Sequence, residues 1–223
     1  MQPMTDTSLR GIDVSHWDGT IDWKRVKESG ISFAYLKAAD GKGSVDPNFA
    51  SNVSHARAAG MPVGAYYYAR PTAPLNLDQA RAQAQHFVKA MKQNGLEDYG
   101  DLMPVLDLEE PADTGTLGRN DLEQWASAFI DTATALTNRQ IMLYTGIWFI
   151  QQYDDFGSEM SDLPLWAADY TYYGDTQPPV SGGWSRWTVW QHTDRGTVPG
   201  IDGLVDLDAG PASLLEMKGD LPK

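Results

Sequence analysis

Pro104-Val-Leu-Asp-Leu-Glu109 is the stretch whose reading decides the fold. It is the end of a short apolar run over 102–108 that reads as a buried strand. Before it, Leu77, Ala80, Ala84, Phe87, Val88 and Met91 recur at close to helical spacing behind Asn76, a residue suited to cap a first turn, and Gly95 ends the run. After it, Asn120 stands ahead of Leu122, Trp125, Phe129, Ile130 and Ala133 and is expected to cap them in the same manner. A further apolar strand over 140–145 completes the pattern. Helix, strand, helix, strand is the alternation of parallel β/α units.

The alternation extends both ways. Strands are expected over 9–14, 31–38, 62–68, 164–170, 187–192 and 203–207, and helices over 22–29, 47–59, 77–94, 120–137 and, briefly, 147–153. Pro47 stands where a first helical turn tolerates proline, and Gly60 stops that helix. Beyond Tyr153 the helices fade, Gly174, Pro178, Pro179, Gly182 and Gly183 crowd the chain, and loops join the last strands. The expected class is α/β, a flattened, irregular TIM-like β/α barrel of eight strands with few helices in its last third. With no repeat or linker, we expect one unit over residues 10–210, an extension over 1–9 and a tail over 211–223.

Composition narrows the chemistry. Among 223 residues, 17 Lys and Arg face 30 Asp and Glu, a net charge of −13. Binding to nucleic acid or anionic lipid needs basic patches, so both are disfavoured, while a neutral polymer is not. Without cysteine there is neither disulfide nor thiolate metal site. No apolar run approaches the roughly 20 residues that span a bilayer. Residues 1–9 are polar and lack the apolar core of a secretory signal.

In a β/α barrel the chemistry sits at the C-terminal ends of the strands. Those ends carry Asp13, Lys37, Tyr66 and Tyr68, Asp107 and Glu109, Tyr144, Trp166, Trp190 and Gln191, and Asp206 and Asp208. Strand side chains alternate with period two, so Asp107 and Glu109 share one face while Leu106 and Leu108 share the other. The same parity turns Asp13 and Asp206 inward. Four acids converging on one mouth cost stability, because burial and like charge both oppose ionisation; such a cluster points to function.

Two chemistries use this arrangement: glycoside hydrolysis, with a protonated and an ionised carboxyl, and a hard-metal site of oxygen ligands. The aromatic rim of Tyr66, Tyr68, Tyr144, Trp166 and Trp190 favours a sugar, and no phosphate-binding loop supports a metal. We therefore expect no metal and no cofactor. His16 and His192, near strand ends, are candidates for substrate contact; His55 and His86 fall within helices. A serine nucleophile elbow is absent.

Gly11-Ile-Asp13-Val-Ser15 with Trp17, Gly19 and Ile21-Asp22-Trp23 resembles the opening motif of family-25 glycoside hydrolases, lysozymes that act as N-acetylmuramidases. Phe33 with Lys37-Ala38, Asp46 with Phe49 and Asn52, Gly64-Ala-Tyr66 with Arg70-Pro71, and Pro104-Val-Leu-Asp107-Leu-Glu109 resemble its successive blocks. So do Leu165-Trp166 with Ala168 and Tyr170, and Trp190-Gln191 through Gly200-Ile201 to Val205-Asp206 and Asp208. The resemblance covers about residues 10–210 in order.

It implies cleavage of the β-1,4 bond between N-acetylmuramic acid and N-acetylglucosamine in peptidoglycan, with retention of configuration. Glu109 would be the general acid, Asp107 its carboxylate partner, and Asp13 and Asp206 further acids of the cleft. Tyr66, Tyr68, Tyr144, Trp166, Gln191 and Lys37 are the expected substrate-binding residues. One departure stands out: members commonly carry His where this chain has Tyr67, which would bear on sugar specificity if that position touches sugar. A non-catalytic glycan-binding protein of the same fold, or a glycosidase for another β-linked amino sugar, are the alternatives; a lectin has no need of a proton donor. The expected partner is the peptidoglycan glycan strand, met by a monomer at the bacterial cell wall, extracellular or periplasmic; no signal peptide is read in this chain, and the sequence does not name the export route.

Overall fold

The computed structural model describes residues 1–109, 117–170 and 177–221. Among the described residues there are nine strands and five α-helices, all but β3 in the expected order: β1 (Arg10–Val14), α1 (Trp23–Glu28), β2 (Phe33–Asp40), β3 (Ser44–Val45), α2 (Phe49–Ala58), β4 (Val63–Tyr68), α3 (Leu77–Gln93), β5 (Val105–Asp107), α4 (Arg119–Thr137), β6 (Met142–Gly146), α5 (Ile147–Gln152), β7 (Leu165–Ala168), β8 (Val189–Gly196) and β9 (Val205–Ala209). Eight of the strands close a barrel in the ring order β1-β2-β4-β5-β6-β7-β8-β9, sealed by pairing of β9 with β1. The two-residue β3, which the sequence pattern does not announce, folds back antiparallel on the end of β2.

Neighbours are parallel from β1 to β8, but β9 runs antiparallel to both β8 and β1. The expectation that every strand presents its C-terminal end to the mouth fails for this one. A hairpin brings the chain back down from the mouth, so the first half of β9 is its mouth end. Asp206 lies there, in register with Asp13, while Asp208 pairs deeper, opposite Gly11. Beyond Gln152 no α-helix occurs among the described residues, which matches the thin last third.

Helix starts agree in part. The Asn76 side chain accepts the Gln79 N–H at 3.0 Å, as a cap does. The later helix begins earlier than Asn120: it is capped at Gly118, whose N–H donates to Asp121 Oδ2 at 3.1 Å. Pro47 precedes its helix, which starts at Phe49; the Asp46 carboxylate accepts the intervening Asn48 N–H at 2.9 Å.

Two apolar layers result. Outward strand residues such as Ile12, Leu36, Leu106 and Leu143, with Leu108 just past β5, pack with the inner faces of the helices. Inward residues Phe33, Tyr35, Val105, Met142, Trp166 and Val189 fill the barrel, and Met217 of the tail joins them from below. So small a barrel has no room for eight large side chains in one layer. Gly11 and Gly64 make the space: a Cβ there would sit 2.2 Å from the Phe33 ring and 2.3 Å from the Tyr35 ring. Going up the inner wall, apolar residues give way to polar ones, as in Phe33-Tyr35-Lys37, Val105-Asp107-Glu109 and Val189-Gln191. The core therefore passes directly into the site.

Candidate active site

The mouth is a cleft of about 370 Å³ lined by Asp13, Lys37, Tyr66, Tyr68, Asp107, Glu109, Tyr144, Trp166, Gln191 and Asp206, with Ser15, Trp17, Tyr170 and Asp194. The four acids and six substrate-binding residues expected from the sequence are together in it. A second hollow of about 410 Å³ adjoins the first; Glu109, Tyr144 and Tyr170 line both, and Trp148, Gln151 and Asp169 continue the wall. The site is thus a groove, and Glu109 stands at the junction of its two halves.

Gln191, 2% exposed, organises the floor. Its Oε1 accepts from Tyr144 at 2.8 Å and Tyr170 at 2.6 Å, and its Nε2 donates to Asp13 Oδ2 at 2.7 Å. The Tyr144 hydroxyl also lies 3.4 Å from Glu109 Oε2. One amide thereby joins the acid of β1 to two tyrosines beside the β5 pair. Lys37 and the Arg70 guanidinium lie over the Tyr68 ring, 4.5 Å and 4.3 Å from its centroid. Arg70 also pairs with Asp40 at 3.3 Å.

Electrostatics follow from burial. Asp107 is pushed well above the usual carboxylate range, first by desolvation and then by the neighbouring Glu109; Lys37 and Arg70 pull the other way. Asp13 is raised by desolvation, then by Asp206 and Asp208, against the Gln191 hydrogen bond. Asp206, at the rim, is pushed up to about 7, by desolvation first and then by Asp18 and Asp194. Asp208 is also raised, by burial and then by Asp206. Among the described residues no three His, Asp or Glu side chains are grouped to hold a metal ion.

Several positions differ from expectation. Trp190 is not a rim residue: it faces the outer core, and its Nε1 donates to the Asp169 carbonyl at 2.9 Å. Trp166 lines the cleft but is 1% exposed; it is the floor, with its Nε1 donating to Asp208 Oδ1 at 2.9 Å and its ring 4.7 Å from that of Tyr35. Tyr67 points away from the cleft, into the layer between barrel and helices, where it packs on Phe87 and Phe129 and meets His86 Nδ1 at 3.3 Å. A departure there changes core packing, not sugar contact. His192 packs against Trp190 outside the cleft, and His16 lies behind it, 2.6 Å from Asp46 Oδ2. Ser15, Trp17, Tyr170, Asp194 and Trp148 were not among the expected binding residues. Trp17 lies three residues beyond β1 and Tyr170 two residues beyond β7; position just past a strand end was the available signal.

Comparison with known proteins gives the same reading. The family description Glycosyl hydrolases family 25 matches residues 12–201. Lysozyme M1 of Streptomyces globisporus is 34% identical over 211 residues, 92% of this chain and 68% of that protein. The N,O-diacetylmuramidase of Chalaropsis sp is 27% identical over 208 residues, 89% of this chain and 94% of that one. The crystal structure of the Clostridium perfringens spore cortex lytic enzyme SleM superposes with a TM-score of 0.90 at 37% identity, covering 97% of this chain and 71% of that chain. With the barrel, the acid-lined groove and these relatives in agreement, the chain belongs to family 25 of the glycosyl hydrolases and is a glycoside hydrolase of the lysozyme, or muramidase, type.

Proposed function

We propose that this enzyme cleaves the β-1,4 bond between N-acetylmuramic acid and N-acetylglucosamine in peptidoglycan, with Glu109 as general acid and retention of configuration. The observation that carries the reading is the place of Glu109: it lines both halves of the groove, where a strand lying along it presents its scissile oxygen. Asp107 stands beside it, buried and raised by that neighbour. Two carboxyls this close oppose each other's ionisation, and the reaction needs one acid and one carboxylate.

Asp107 Oδ1 is buried and has no hydrogen-bond partner among the described residues. A substrate's 2-acetamido N–H would satisfy it. Ionised Asp107 would orient that N–H while the acetamido oxygen attacks the anomeric carbon and Glu109 protonates the leaving oxygen. Glu109 then deprotonates the incoming water. Two inversions return the β configuration; a covalent sugar ester on the enzyme would do the same. Asp13 and Asp206 complete the acidic wall, Gln191 holds Asp13 and the tyrosines in place, and Lys37, Tyr66, Tyr68, Tyr144 and Trp166 shape the sugar site.

The test is Glu109→Gln in a dye-release assay on peptidoglycan. Loss of a general acid costs about 10²–10⁴-fold; more than half of wild-type activity remaining would refute the assignment. Proton NMR of a digest should show the β-anomer first, and an α-anomer appearing first would overturn retention.

A further inference from the structure

We propose that Trp17 and Trp148 are two aromatic platforms, one on each side of the mouth, that hold a glycan strand across the Asp107–Glu109 pair. This rests on the reading of the groove as a glycan site.

The chain has eight tryptophans. Six are at most 5% exposed, whereas Trp17 is 84% and Trp148 52% exposed, and these two line the two halves of the groove. Trp17 follows β1 and Trp148 follows β6, strands four places apart in either direction around the eight-stranded ring, so the two indoles stand on opposite sides of the mouth. An indole left in water has its apolar face unused, and the C–H face of a pyranose is a fitting cover for it.

Both rings are held in place. Around Trp17, the Ser15 side chain accepts the Trp17 N–H at 3.2 Å and the Asp18 carboxylate accepts the Ser15 N–H at 2.8 Å. The His16 ring backs the indole at 4.4 Å and is itself anchored on buried Asp46. Trp148 lies over the backbone of Gly146, where a Cβ would sit 2.3 Å from its Nε1, and meets buried Phe149 edge-on at 5.7 Å. Gly146 has φ −78° and ψ 144°, a conformation open to any residue. What a side chain there would disturb is the indole. Holding a side chain ready for its ligand lowers the entropy lost on binding.

Gly146→Ala therefore moves the Trp148 ring without removing it. We expect Trp148→Ala and Gly146→Ala each to raise KM for soluble, uncrosslinked glycan strands by about two- to tenfold, the scale of one aromatic contact, with kcat little changed. Trp17→Ala should act likewise, and the Trp17→Ala/Trp148→Ala pair should show the product of the two effects, since the sites are far apart. Trp148→Phe should recover part of the loss. In Glu109→Gln protein, titration with the same strands should change the tryptophan emission, and each Trp replacement should reduce that change. Unaltered melting temperatures confirm intact folds. Unchanged KM and unchanged strand affinity in both Trp→Ala variants would overturn the proposal, as would wild-type KM in Gly146→Ala. If Glu109→Gln still turns over, the acid assignment fails, but the KM comparison in otherwise wild-type protein still decides the platforms.

Discussion

Replacing Asp206 by Asn should make the protein more stable at neutral and alkaline pH. Asp206 is raised from the ordinary 3.8 to about 7 by burial and by the charges of Asp18, Asp194 and Glu109. The folded state therefore binds this proton more tightly than the unfolded chain does. The stabilisation from that proton is complete below the unfolded value and is lost as pH rises through about 7. A shift of about three pK units, at about 1.4 kcal/mol each, has an upper bound of about 4 kcal/mol. Asp206 is partly open to solvent and titrates together with Asp13 in the facing register, which reduces this to about 2 kcal/mol. For a chain of this size that is about 4–8 °C in melting temperature. Asn keeps the shape and can donate to Asp13. Thermal unfolding followed by circular dichroism at steps from about pH 4 to 8 reads the result: the curves of wild type and Asp206→Asn should nearly coincide at the acid end and separate as pH rises. A gap independent of pH, or a wild type that is the more stable at pH 8, would refute the argument. The variant should be a poor enzyme, since the charge that costs stability is the one assigned to function.

Gln191→Leu should cost about 1–3 kcal/mol of stability by stranding buried partners, and should move the acidic limb of the kcat/KM profile to higher pH, because Asp13 loses the hydrogen bond that lowers its pKa; pH-rate profiles and melting curves check both. Tyr67→Phe removes long contacts outside the cleft, at 3.3 and 3.4 Å, and should leave kcat/KM unchanged with a stability loss of about 1 kcal/mol or less. With a net charge of −13, raising salt from low to about 0.15 M should leave unchanged or increase the rate on intact walls bearing anionic polymers, since repulsion is screened beyond about 8 Å; a steep fall in a turbidity assay would contradict this.

The period-two alternation that places Asp107 and Glu109 inside and Leu106 and Leu108 outside is a local property of a strand, and it was legible from residues 104–109 alone. So was most of the set that lines the cleft, because strand ends in a barrel leave little freedom; Trp17, Tyr170 and Trp148, lying past strand ends, were not. The direction of β9 was not legible. Nothing in Val205-Asp-Leu-Asp-Ala distinguishes a strand running up from one running down; the difference lies in hydrogen bonding to β8 and β1. Asp206 reaches the mouth because the strand is reversed, and Asp208 falls beneath the floor for the same reason. Trp166 and Trp190 both stood in the expected aromatic rim, yet one is floor and the other outer core. Parity separates Trp190 from Gln191, but depth along the barrel axis depends on the tilt and stagger of neighbouring strands.

The pairing of β1 with β9 also has a consequence for the timing of maturation. Asp13 and Asp206 face each other across the seam where the first and last strands of the barrel meet. During synthesis the ribosome completes β9 about 195 residues after β1, a delay on the order of 10–40 s at ordinary elongation rates. Throughout that interval Asp13 has no opposing carboxylate, and Gln191, which donates to it, is itself made only shortly before β9. A nascent chain can form its early β/α units, but the acidic mouth is complete only when the final strand docks, and a product ending before Val205 would lack both Asp206 and the seam that closes the barrel.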